Sequence, residues 1–359
     1  MIVKLQLHTP LCNLLGITYP IIQAGMAGGP TTVQMVASVS EAGGLGTLGA
    51  AYMAPEEIRQ AIRSIRQLTQ KPFAVNLFAL EMKDDFSRIT EVQTALRPVY
   101  NELDIKSPSQ TLQTPNHLTG QIEVLLEEKV PVISSALGIF PDEVIQEAHK
   151  QGMLVSTMVT TVEEAIQAAE KGSDFIVAQG SDAGGHRSTF DTTRHPLGAN
   201  IGTFSLIPQV VDHVPVPVVA AGGIMDGRGL IAALALGAQG VQMGTRFLTA
   251  IESGAHPLYQ EALLNSSEES TTITTAFTGR PARGLRNAFV EQFEATGIEP
   301  LPFPSQHTLT SEIRKAATQQ KKPQYMSMWA GQGTRLLKQG QSVQEMIQEI
   351  VKEAEDILG

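Results

Sequence analysis

Residues Asp174 to Ser188 read Asp-Phe-Ile-Val-Ala-Gln-Gly-Ser-Asp-Ala-Gly-Gly-His-Arg-Ser, an apolar run that passes directly into a glycine-rich segment carrying a histidine. The first part has the length and composition of a buried strand. Gly180, Gly184 and Gly185 let the chain turn with positive φ and approach a ligand more closely than side chains would allow. His186 then stands at a strand end, where barrel enzymes keep their chemistry, with an imidazole that titrates near neutral pH. The same residues would also serve as a solvated surface loop, so the rest of the chain has to decide.

Seven further short β-type runs repeat the pattern: 20–24, 45–48, 72–78, 131–135, 154–159, 217–221 and 240–244. Amphipathic stretches such as 55–68, 141–150, 161–170 and 227–236 lie between them, with apolar residues at three- and four-residue spacing. Thr161 precedes Glu163 and Glu164, and Pro55 precedes Glu56 and Glu57, which puts acids where a helix dipole favours them. Eight such units predict an α/β fold, a (β/α)8 TIM barrel. A doubly wound open sheet shares the alternation, but it concentrates its site at one switch point, whereas the polar strand ends here are spread along the chain.

Two regions break the rhythm. Residues 84–118 are polar and predict a helix with an extended loop enlarging the third unit. Residues 254–324 predict a smaller, mainly helical covering subdomain over the barrel 1–253. The segment 325–359 then returns to the barrel through an amphipathic helix bearing Val343, Met346, Ile347, Ile350 and Ile357 on or near one face.

The 359 residues suffice for a large core, and 42% hydrophobic with 17% charged residues excludes a disordered chain. A net charge of −10 without a long basic cluster argues against nucleic acid or an anionic membrane as partner. Cys12 is the only cysteine, so no disulfide and no Cys-based metal site forms within one chain; we expect no metal, and a structural thiol in a reducing cytoplasm. The start of the chain, with Lys4 and a stretch broken by Pro10, is a poor signal peptide, and no 18-residue apolar span occurs. A homodimer is compatible with all of this.

Ala220-Ala-Gly-Gly-Ile-Met-Asp-Gly-Arg-Gly229 and Val241-Gln-Met-Gly-Thr-Arg246 fall at the ends of the seventh and eighth barrel strands. Paired glycine-rich loops there expose backbone N–H groups toward a phosphate, which points to Gly222, Gly223, Gly244 and Thr245. Neither loop has the Gly-x-Gly-x-x-Gly dinucleotide spacing. Ala24 and Gly25 in Gln23-Ala-Gly-Met-Ala-Gly-Gly29 would let a flat ring lie on the backbone, while Asn76 and Gln179 offer donors and acceptors to its heteroatoms. Flavin mononucleotide (FMN) accounts for all four features at once.

Together with Met328-Trp-Ala-Gly-Gln332, these motifs resemble the nitronate monooxygenases, formerly 2-nitropropane dioxygenases, over nearly the whole chain. Asp182 stands where a Glu is common in that family, and Ser188 where a Gly is common. The resemblance implies FMN contacts at Asn76, Gln179, Gly184, Gly222, Gln242, Met243, Gly244 and Thr245, with His186 as the catalytic histidine; Ala24, Gly25, Met26 and Gly223 complete the expected cofactor site. The implied reaction oxidises an alkyl nitronate with O2 to a carbonyl product and nitrite. Propionate 3-nitronate is the expected substrate, alongside nitroalkanes. His186 would either remove the α-proton of a nitroalkane or hold a substrate that arrives as the nitronate. A substrate carboxylate would want a cation, for which Arg280, Arg283 and Arg286 are candidates. Two rivals stay open: an FMN-dependent enoyl-acyl carrier protein reductase using NADH, and a flavin-free phosphate-binding barrel isomerase or aldolase, which would lack its usual strand-end lysine here.

Overall fold

The computed structural model describes residues 5–106 and 112–359, so Lys4 and residues 107–111 of the expected polar excursion lie outside it. The strands in chain order begin with β1 (Ile21–Gln23), β2 (Gly46–Gly49), β3 (Phe73–Phe78), β4 (Val132–Ala136), β5 (Leu154–Val159) and β6 (Phe175–Gln179). A two-residue strand follows, β7 (Gly185–His186), then β8 (Val218–Ala221) and β9 (Gly240–Met243). All except β7 form one parallel sheet in the order β1-β9-β8-β6-β5-β4-β3-β2, and a parallel bridge from Ile22 to Leu45 joins its two edges. This is the eight-stranded (β/α)8 barrel that the alternation predicts.

Burial on both faces explains why the strands read as near-continuous apolar runs. Inside the ring, Ile22, Leu45, Ala74, Val132, Phe175 and Val219 pack with Leu11, Cys12 and Leu15 of the helix Pro10–Leu15. Thr9 of that segment bonds the carbonyl of Gln239, just before β9, so the short helix lies at the end where the strands begin. Cys12 is fully buried there. Thr161 caps its helix with Glu164 in a reciprocal box, as its sequence suggests.

The last helix, Val343–Leu358, is capped by Ser342 and Glu345 and buries Val343, Met346, Ile347 and Ile350 against the barrel. Ile357 departs from the expected face. It sits in the final turn, 49% exposed, beyond the last packed residue Ala354.

The region 254–324, expected as a cover, carries two short strands beside its helices. It contains β10 (Thr271–Thr274) and β11 (Ala282–Leu285), an antiparallel pair that also takes in β7. Beside them stand helices Pro257–Leu264, Ala288–Glu294 and Ser311–Gln319. Phe277, Phe289, Phe293 and Ile313 of this region share one apolar cluster with Val92, Leu96, Val99 and Tyr100. The excursion after β3, helices Ile89–Ala95 and Arg97–Glu102, therefore packs into the cover. Among the described residues no helix is long and apolar enough to cross a membrane.

Candidate active site

One cavity of about 1030 Å³ opens at the C-terminal ends of the barrel strands and under the cover. Every residue that the sequence assigns to catalysis or cofactor binding lines it, from Ala24, Gly25 and Met26 through Asn76, Gln179, Gly184 and His186 to Gly222, Gly223 and Gln242 to Thr245.

His186 is held from two sides. As part of β7 it pairs with Ala282 of β11, and the carboxamide of Gln179 at the end of β6 donates to the His186 carbonyl at 3.0 Å while accepting from the Ser188 amide at 2.9 Å. Both ends of Gln179 are thus used on the loop backbone, which makes it a clamp for the histidine. Ser188 is fully buried, with its hydroxyl between the Met158 carbonyl and the Leu137 amide, so the residue in place of the common Gly pins the loop. Arg187 is also fully buried and donates to the carbonyls of Gly180, Gln179 and Ala199. Burial pushes its guanidinium down to about 10, which still leaves it charged at neutral pH.

The glycines serve two different needs. Only Gly185 of the three uses positive φ, at 77°. Gly184 is required for close approach, because a Cβ there would stand 2.5 Å from the Ala330 carbonyl carbon and the Gly331 nitrogen. The loop therefore approaches the protein's own Trp329 to Gly331 segment, in addition to any ligand.

The His186 ring does not titrate near neutrality. Its ring lies against Phe78, Phe303 and Trp329 at 5.6 to 6.0 Å and meets open space only at the cavity. Burial, followed by the positive charges of Arg280 and Arg314, pushes its pKa down to about 3. Nε2 is 3.0 Å from the Thr278 hydroxyl, and no group among the described residues bonds Nδ1.

Several cavity groups await a partner. Asn76 donates to Ser134 through Nδ2, which leaves Oδ1 as an acceptor, and the buried Gln242 carboxamide makes no hydrogen bond among the described residues. The amides of Gly222 and Gly223, at φ 121° and 69°, have no acceptor among the described residues. Donors at one end of a large cavity, with an acceptor and a free carboxamide along it, fit the phosphate and the heteroatom edge of FMN. When bound, FMN would be held by these groups and would supply redox chemistry with O2.

The three arginines expected to meet a substrate carboxylate do not reach the cavity. Arg280 is buried and donates to the Thr189 carbonyl, Arg283 to the Ser181 carbonyl, and Arg286 pairs with Glu291 on the surface. The lining instead includes Tyr52, His307, Arg314 and Lys315, none of which the sequence singled out. The signal available was the basic run from Lys315 to Lys322, which begins at the residue after Arg314.

The model of the family described as nitronate monooxygenase matches residues 8–353. The chain is 42% identical over 355 residues to a "Probable nitronate monooxygenase" of Staphylococcus saprophyticus, covering 99% of each. Among solved structures, it is similar to nitroalkane oxidase from Streptomyces ansochromogenes, with a TM-score of 0.89 and 37% identity over 96% of this chain and 98% of that one. FabK from Thermotoga maritima is also similar, with a TM-score of 0.76 and 31% identity over 98% of both. On its sequence and its barrel alike, the chain belongs to the nitronate monooxygenase family and is a flavin-dependent oxidoreductase.

Proposed function

We propose that the protein binds FMN and oxidises alkyl nitronates with O2 to a carbonyl product and nitrite, with propionate 3-nitronate as its substrate. The similar nitroalkane oxidase of Streptomyces ansochromogenes supports the substrate class. The observation that carries the reading is the neutral His186 beside unpaired cavity donors and acceptors.

A histidine with a pKa of about 3 is a weak base for the α-proton of a nitroalkane. It is well suited to a substrate that arrives already as the anion. The Thr278 hydroxyl has one proton for two acceptors, the Arg280 carbonyl and His186 Nε2. When that proton goes to Nε2, the imidazole carries its own on Nδ1 and donates toward an anionic oxygen in the cavity. The positive potential of Arg280, which adds to burial in keeping the ring neutral, also favours an anionic ligand. In this reading His186 orients and stabilises the nitronate. Asn76, Gln242, Gly222 and Gly223 hold the cofactor, and Gln179 keeps His186 in place.

The test is direct. The purified protein should show a flavin spectrum, release FMN on denaturation, and produce nitrite with oxygen consumption when given propionate 3-nitronate. A flavin spectrum without nitrite release would sink the reading. Fast anaerobic reduction by NADH would favour the enoyl reductase, and a colourless protein that takes up no FMN the isomerase or aldolase.

A further inference from the structure

Arg314 lies on the helix Ser311–Gln319 and lines the cavity. Its Nη2 donates to the His307 carbonyl at 2.6 Å, its Nε is buried without a partner, and among the described residues no carboxylate lies within ion-pair distance of it. A guanidinium taken out of water without a counterion is strongly disfavoured. Arg187 and Arg280 are also buried without carboxylates and each keeps an unpartnered Nε, but their other donors go to backbone carbonyls and neither reaches the cavity. Arg314 alone of the three faces ligand space.

Two more unsatisfied groups flank it. The Tyr52 hydroxyl and His307 Nδ1 are buried with no hydrogen-bond partner, and the two rings stack at 4.4 Å with planes 7° apart. Buried polar atoms left open in a native fold call for a ligand or water to complete them. The wall carries no acid: the one carboxylate lining the cavity is Asp182, which accepts from the Thr203 amide and hydroxyl. The wall also stands away from the phosphate donors. Phe78, packed edge-on against Tyr52, ends β3, which is four strands from β8 in either direction around the ring. Phe303 separates it from His186, with ring centroids 6.0 Å from His186 and 6.4 Å from His307. A few carbon atoms span such a gap.

We infer that Arg314, with Tyr52 and His307, is the subsite for a carboxylate at the far end of a short-chain nitronate and sets the preference for acid-bearing over neutral substrates. This rests on nitronate oxidation at the same cavity. Arg314 acts in binding, through charge and hydrogen bonding, and leaves the chemistry at His186 to other groups.

The experiment compares propionate 3-nitronate with propyl 1-nitronate, which lacks the carboxylate, in the flavin-loaded wild type, Arg314→Gln and Arg314→Lys. Arg314→Gln should raise KM for propionate 3-nitronate by about 30-fold or more, the scale of losing one partner of a buried charged pair. The kcat for that substrate and both constants for propyl 1-nitronate should stay within about threefold, and Arg314→Lys should recover part of the loss. Equal effects on both substrates, or none, would overturn the inference. If Arg314→Gln does not fold, wild-type inhibition decides: 3-nitropropionate should inhibit propyl 1-nitronate oxidation well below the concentration at which 1-nitropropane does, and equal inhibition overturns the inference. A wild type that oxidises neither nitronate removes the functional reading instead. Quenching of the only tryptophan, Trp329, which lies 5.6 Å from His186, by 3-nitropropionate then still reports whether Arg314 binds the carboxylate. Equal quenching curves for wild type and Arg314→Gln would show that it does not.

Discussion

The Thr278 hydroxyl lies 3.0 Å from Nε2 of His186 and 3.1 Å from the carbonyl oxygen of Arg280, so a single proton sets the tautomer of the histidine. Thr278 follows Phe277 of the cover's apolar cluster and precedes β11, the strand that pairs with His186 itself. The cover therefore supplies both the backbone partner and the ring partner of a residue that the barrel sequence introduces.

Replacing Thr278 with Val keeps the shape and removes the hydroxyl. Nothing then fixes the ring proton on Nδ1, and the tautomer that turns a lone pair toward the substrate becomes populated. We expect kcat for propionate 3-nitronate to fall roughly tenfold, the scale of one hydrogen bond, with unchanged flavin content. Thr278→Ser should restore most of it. Steady-state kinetics of the two variants check this, and an unaltered kcat in Thr278→Val would mean that the tautomer is set elsewhere.

Acid should weaken the fold before the carboxylates titrate. His186 is pushed down from 6.5 to about 3, first by burial, and His307 well below 6.5 for the same reason. Below pH 6.5 the unfolded chain takes up protons that the folded one refuses, so stability falls as pH drops from 6.5 toward 3 and is flat for this pair above 7. Each histidine contributes at most about 1.4 kcal/mol per pH unit in that window. Urea unfolding at pH 7.5, 5.5 and 4.5 should show the loss, and His186→Asn should make it shallower. A slope left unchanged by this substitution would assign the acid sensitivity to groups other than His186.

Much of the architecture was legible because barrel strands announce themselves. Runs such as Pro217-Val-Val-Ala-Ala221 are buried on both faces, and the glycines behind them mark the site end. The hairpin of the cover was not legible. Thr271–Thr274 is mostly half-buried and polar, while Ala282-Arg-Gly-Leu285 is fully buried yet short and carries an arginine and a glycine. Neither shows an apolar period, and it is pairing, of β10 with β11 and of β11 with β7, that makes strands of them. Gln179 was placed at the cavity, but its clamping of His186 is a contact between residues seven apart that no periodicity encodes. Arg314 escaped notice because its helix reads as an ordinary basic surface. Only the tertiary fold separates the one arginine facing the cavity from Arg280, Arg283 and Arg286.

Gly184→Ala should be far more harmful than a methyl group on a loop suggests. The added Cβ would meet backbone atoms of Ala330 and Gly331 at 2.5 Å, and backbone cannot swing aside as a side chain can. Either the β7 segment or the Trp329 segment must shift, and both touch His186. We expect a loss of about 1 to 3 kcal/mol in stability and a larger proportional loss in kcat. Urea unfolding and kinetics on the same preparation test this. A variant as active and as stable as the wild type would show that the loop has slack.

Gly223→Ala and Gly297→Ala together test the phosphate assignment. Gly223 has φ 69° and Gly297 φ 67°, so alanine meets the same backbone strain at both positions, about 1 to 2 kcal/mol. Neither new Cβ is crowded: the nearest atom to the one at Gly223 is the Asp182 Cβ at 3.4 Å, and nothing lies within 4 Å at Gly297. Gly297 is exposed in the cover and absent from the cavity lining, whereas Gly223 presents its unpaired amide beside Gly222. Relief of strain at Gly223 turns that amide away from its present direction, so FMN affinity should fall about tenfold, with kcat recovered at saturating FMN. At Gly297 the loss of stability should be similar and FMN affinity unchanged. Titrating the apoproteins with FMN, followed by flavin fluorescence, separates the two. Equal affinity in both variants would move the phosphate from Gly223 to the loop of Gly244 and Thr245 alone.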